Sequence, residues 1–156
     1  RIRDMGLALA VVEDLATGEA RAYREDQVER LIIDLLSADR VVGFNVKRFD
    51  YQVLEAYAGI GTFRRVPTLD LLEEIHGFLG FRVKLAAVSQ ATLGASKSAD
   101  GLQSLEWVRE GRLDLVEEYC RQDVKVTADL YRFGSRHGYL LYPDKEERYL
   151  RVPVSW

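Results

Sequence analysis

Apolar residues open this chain as an unbroken run, residues 6–12 (GLALAVV), which predicts a buried strand. A turn at Ala16-Thr17-Gly18-Glu19 and a return over residues 20–23 predict a hairpin. The period then changes. After Glu25-Asp26, Val28, Leu31, Ile32, Leu35 and Leu36 share one helical face. Residues 41–44 (VVGF) are wholly apolar, as in a strand covered on both faces. Asn45 follows as an expected N-cap for a helix carrying Phe49, Val53, Leu54 and Tyr57 and ending near Gly59.

Residues 66–69 read as a short strand with Asp70 near its carboxyl end, and residues 71–78 continue as helix. Residues 84–93 form another helix, stopped by Gly94. Residues 95–101 make a polar loop, and Leu102, Leu105, Trp107 and Val108 suggest a further helix. Asp114 and Glu117 resemble a capping box opening a long helix that Gly134 ends. Residues 139–142 and 149–154, joined across Pro143-Asp144-Lys145, predict a C-terminal hairpin. Antiparallel strands first, then strands alternating with helices, give an α/β fold. No repeat or linker divides it. Residues 1–134 form the domain, and residues 135–156 a hairpin extension of the same domain.

Composition narrows the function classes. The 156 residues are 47% hydrophobic and 30% charged, as in an ordinary globular domain. No apolar run is long enough to cross a bilayer, so no membrane partner is expected. A single cysteine, Cys120, excludes a disulfide framework and a multi-cysteine zinc site, and fits a cytoplasmic setting. The net charge of −3 gives no global basic footprint for nucleic acid. That argues against a charge-driven binder, not against a nuclease with an acidic metal site. The first residue is Arg1 rather than Met, so a processed or partial chain is expected.

The long helix carries the first chemical signal. Val116, Tyr119, Asp123, Val126 and Leu130 share a stripe, while Glu117, Glu118, Arg121, Gln122, Lys125 and Asp129 lie largely away from it. An ionised carboxylate turned inward requires a hydrogen bond, a cation or a metal. The second signal is Asn45-Val46-Lys47-Arg48-Phe49-Asp50, directly after a buried strand. Ligands usually bind at that carboxyl edge of an α/β sheet. If the long helix crosses the same edge, Asp50 and Asp123 converge. Carboxylates without a His or Cys cluster suit Mg²⁺ or Mn²⁺ rather than zinc.

Asn-x-x-x-Phe-Asp at Asn45, Phe49 and Asp50, with Tyr-x-x-x-Asp at Tyr119 and Asp123, resembles the second and third motifs of the DEDD superfamily of 3′–5′ exonucleases. Tyrosine four residues before the last aspartate is similar to that family's tyrosine branch; the position used by the histidine branch holds Glu118. The resemblance covers the first hairpin to Gly134. It implies a ribonuclease H-like mixed sheet with flanking helices. It also implies Asp50 and Asp123 as ligands of two Mg²⁺ or Mn²⁺ ions, and Tyr119 orienting the attacking water. The partner implied is nucleic acid, at single-stranded 3′ ends, with Asn45, Lys47, Arg48 and Phe49 touching substrate.

At one place the chain departs from that pattern. The family's first motif, Asp-x-Glu on the strand before the hairpin, supplies two of four acids. Here the one Asp-x-Glu is Asp144-Lys145-Glu146, in a polar turn. The missing strand is expected upstream of Arg1, or from an additional domain or chain completing the sheet. The chain alone is then expected to be nearly inactive. The alternative is a catalytically inactive module that binds nucleic acid or protein. Simpler roles are expected elsewhere: Asp70 as a helix opener, His76 and His137 as surface or packing residues, and Cys120 as a small core residue. Lys97 and Ser98 are weaker candidates for phosphate contact. Gly43 and Gly101 mark turns or close approaches, and the Tyr-rich hairpin packs or stacks bases.

Overall fold

The computed structural model describes residues 6–94, 101–146 and 148–156. The chain opens with β1 (Leu9–Glu13) and β2 (Ala20–Arg24), an antiparallel hairpin in which Glu13 faces Ala20 and Leu9 faces Arg24. A single 3₁₀ turn, Glu25–Gln27, leads into α1 (Val28–Leu36). Val28, Leu31 and Ile32 bury the inner face of α1, whereas Leu36 stays 45% exposed and lies off the expected stripe.

Next come β3 (Val41–Gly43), a π-helical turn at Val46–Asp50, α2 (Tyr51–Ala58) and β4 (Thr68–Asp70). β3 and β4 pair in parallel, with Gly43 opposite Asp70, so both strands end at one edge. Side chains on β3 alternate between two cores. Val42 packs against a cluster built on Leu71, Ile75, Leu130 and Leu140, and Val41 against one built on Tyr23, Leu31, Tyr51 and Phe63. That two-sided packing is why the run is apolar at every position.

The chain continues through α3 (Leu71–Leu79), α4 (Leu85–Leu93), α5 (Gly101–Arg109) and α6 (Leu113–His137). It closes with the antiparallel pair β5 (Tyr139–Pro143) and β6 (Tyr149–Pro153). The expected polar loop, with Lys97 and Ser98, lies outside the described residues apart from Gly101, which starts α5. Among the described residues the strands form three separate pairs, β1–β2, β3–β4 and β5–β6. α6 packs against β1 and β3, two strands that are not hydrogen-bonded to each other. Arg132 pins it to the hairpin through Glu13 and the Leu15 carbonyl, and Arg121 through the Ala20 carbonyl.

Two expectations about α6 are corrected. It starts at Leu113 with Arg112 as N-cap and no side-chain cap, so the capping box does not form. Asp114 pairs with Arg112, and Glu117 with Arg121 one turn on. Nor does Gly134 end the helix, which runs to His137 and stops at Gly138 in a left-handed cap. Gly134 is needed for space: a Cβ there would lie 2.7 Å from Cζ2 of Trp156. The Trp156 indole donates to the Tyr131 carbonyl at 3.0 Å, which binds the chain end to α6.

Candidate active site

The edge where β3 and β4 end is shaped by a tight reversal. A Cβ on Gly43 would collide with the Val46 side chain, so glycine lets the chain fold back there without displacing it. Asn45 sits at φ 66 and ψ 28, a left-handed conformation that Asn tolerates better than most residues. It does not cap the following helix by its side chain, as the sequence suggested. Its carbonyl accepts the Phe49 amide at 3.1 Å, and its Oδ1 accepts the Arg82 guanidinium at 2.8 Å.

Asp70 holds this reversal in place. The side chain is 4% exposed. Its Oδ1 accepts the Asn45 amide at 2.8 Å and the Leu72 and Glu73 amides at 3.1 and 3.4 Å, while Oδ2 accepts the Lys47 amide at 3.1 Å. The expected role as helix opener is present, but it is half of the arrangement. Asp70 also fastens the neighbouring strand's turn. With four amides on its oxygens it is a structural anchor with little capacity left for a cation.

Asp50 closes the π-helical turn. Such turns are rare and occur often at functional sites. By accessible area Asp50 is an exposed residue, yet protein atoms crowd its carboxyl. That desolvation, with the Asp70 charge added, raises its pKa to about 6. A hydrogen bond from its own backbone amide works against the shift. Tyr51, the next residue, is buried against Phe63 with ring centroids 4.5 Å apart and shares a hydrogen bond with the Thr68 hydroxyl at 2.7 Å. This pair stiffens the root of α2. A cleft of about 440 Å³ runs along the same flank, lined among others by Lys47, Tyr51, Phe63 and Arg64.

On α6, Val116, Val126 and Leu130 are buried, while Tyr119 and Asp123 are half-buried at the border of that stripe. Thr127 donates to the Asp123 carbonyl at 2.7 Å. Cys120, between Tyr119 and Asp123, shows where this face points. Its thiol is raised to about 11, first by burial, then by the charges of Asp123, Asp50 and Glu117. Both candidate ligands therefore act on one thiol. At neutral pH the thiol is protonated and inert, as expected of a packing residue.

The remaining predicted residues line the turn. Lys47 reaches Glu73 at 3.0 Å, and Arg48 is exposed. Phe49 is 38% exposed rather than part of a buried helix face. His76 and His137 are exposed, the latter beside Phe133 and Tyr139. Sequence reasoning missed Arg82 entirely; no motif or period marked it.

Asp50 and Asp123 are hard oxygen donors with access to water, which suits Mg²⁺ or Mn²⁺. Among the described residues no group of three or more His, Cys, Asp or Glu is placed to hold a metal. Two carboxylates fit one divalent ion by charge, not two. Residues 7–133 match the family model RNase_H_2, of the RNase_H superfamily. No curated protein and no solved structure matches the chain.

Proposed function

The chain belongs to the RNase_H superfamily, whose members generally bind nucleic acid and use divalent metals, and from that premise we propose that it is the catalytic domain of a metal-dependent 3′–5′ exonuclease. In this reading Asp50 and Asp123 are metal ligands. Tyr119 orients the attacking water by its hydroxyl. Asn45, Lys47, Arg48 and Phe49 hold the 3′-terminal nucleotides, and a nucleoside monophosphate leaves. Divalent ions bound there supply charge stabilisation for the attacking and leaving oxygens. What supports the reading is that α6, which carries Asp123, packs against β3, and that the turn after β3 ends at Asp50; both charges also help hold the Cys120 thiol up.

The charge count requires a second acidic pair. In this reading the Asp-x-Glu strand that the DEDD resemblance calls for would lie between β1 and β3; α6 packs against both, and they share no hydrogen bonds among the described residues. The test is hydrolysis of a 5′-labelled single strand by the full-length protein. Stepwise 3′ shortening is expected with Mg²⁺ or Mn²⁺ and none with EDTA. Asp123→Asn is expected to lower the rate by more than about 100-fold, beyond the 10–100-fold that outer-shell changes cost. Undiminished activity in EDTA, or in Asp123→Asn, overturns the assignment.

The absence of a three-acid cluster among the described residues favours a second reading, an inactive module that binds nucleic acid or protein. That reading expects strand binding with no shortening under any metal.

A further inference from the structure

Arg82 lies in the link between α3 and α4, between the half-exposed Phe81 and the buried Val83. The Phe81 ring meets Tyr142 of β5 edge-on, centroids 5.8 Å apart, and Val83 is 7% exposed in the core. The exposed guanidinium therefore projects from a fixed stretch of backbone. It donates to Asn45 Oδ1 at 2.8 Å and has no ion-pair partner among the described residues. Asn45 Oδ1 accepts from Arg82, and the NH₂ of the same amide donates to no described residue. One amide group thus brings a cation and an unused pair of donor hydrogens to the same turn. The left-handed Asn45 backbone, locked by the buried Asp70, fixes where they stand.

We infer that Arg82 and the Asn45 amide form a phosphate-binding subsite for a single nucleic-acid strand, one step along the strand from the Asp50–Asp123 site. The inference rests on the nucleic-acid reading above and adds to it a contact outside the two motifs. A planar guanidinium and an adjacent amide NH₂ match the oxygens of a phosphodiester. Asn45 opens the π-helical turn that Asp50 closes, so the subsite lies one short turn of chain from the candidate ligand. There it would hold a neighbouring phosphate of the strand, which positions the strand without joining the chemistry.

The test is equilibrium binding of a fluorescent oligothymidylate to the full-length protein in EDTA, where nothing is cut, across a salt series. Arg82→Gln is expected to weaken binding about tenfold and to lower the slope of log affinity against log salt by about 0.7. Arg82→Lys should keep the slope and lose part of the affinity. Arg40→Gln, at the amino end of β3, removes the same charge and should change neither. Thermal melts of all three variants show that they fold. Equal affinity and slope for wild type and Arg82→Gln overturn the inference, as does wild type that does not bind. Weakened binding in Arg82→Gln, from a wild type that cuts no strand under any metal, supports the subsite and overturns the exonuclease reading alone. Shortening by wild type with unchanged binding and unchanged KM in Arg82→Gln does the reverse.

Discussion

The Asp70 carboxylate accepts the Asn45 backbone amide at 2.8 Å, joining the carboxyl ends of two parallel strands. The same oxygen caps α3, so one side chain sets both the turn that leads to Asp50 and the start of the next helix. These roles separate by mutation. Serine caps a helix about as well as aspartate, but it is too short to bridge to the Asn45 and Lys47 amides. Asp70→Ser is expected to cost about 1–3 kcal/mol, the price of stranding buried donors. Chemical denaturation measures it. Adding Asn45→Gly should return part of that loss, because glycine adopts the left-handed turn without strain. A serine variant as stable as wild type would mean that the clamp contributes nothing.

A second prediction concerns pH. The folded-state pKa of Asp50, about 6, lies above its ordinary value of 3.8. The folded protein thus binds this proton more tightly than the unfolded chain. Its stabilising effect is complete below about pH 4 and is lost as pH rises through about 6. Asp50→Asn should therefore raise the melting temperature at pH 7.5 and leave it nearly unchanged at pH 4. Mn²⁺ affinity should fall below about pH 6, where protons compete for the carboxylate. A melting difference that does not vary with pH would show that Asp50 is well solvated.

The helices that pack by one stripe were legible in the sequence because burial imposes the period: Val28, Leu31 and Ile32 on α1, and Val116, Val126 and Leu130 on α6, are all buried. Asp50, after a buried strand, and Asp123, within α6, stood out in the sequence because each carboxylate interrupts an apolar pattern. What failed involved contacts distant in sequence. Asn45 looked like a cap, but its partner Arg82 lies 37 positions away. Asp70 looked local because its helix bonds are local, while its bonds to Asn45 and Lys47 span 25 and 23 positions.

Gly134 is the same lesson in a testable form. Inside a helix, glycine to alanine normally stabilises by about 1 kcal/mol. Here the added Cβ meets the Trp156 indole at 2.7 Å. Gly134→Ala should instead destabilise by about 1–3 kcal/mol, the usual cost of overpacking. In a Trp156→Ala background the same change should become stabilising. Denaturation of the four proteins in the cycle gives the coupling, and additive effects would place the indole elsewhere.

Cys120 offers a direct readout of the candidate metal site. It is the single cysteine, so alkylation reports one position. Its thiol is held up at about 11 by burial and by the negative charges of Asp123, Asp50 and Glu117. The reactive form is the thiolate. A divalent ion on Asp50 and Asp123 would replace repulsion of the thiolate with attraction, and its pKa would fall. Each unit of that fall raises the thiolate fraction about tenfold at a pH well below the pKa. Iodoacetamide labelling at pH 8.5 should therefore speed up on adding millimolar Mg²⁺, at constant ionic strength. Asp50→Asn should label faster than wild type without metal, since one repelling charge is gone, and its response to Mg²⁺ should be weaker. Screening by monovalent salt should give a smaller and less specific change. Identical labelling rates with and without Mg²⁺ would mean that no ion binds beside this thiol, and the carboxylates would then need another role.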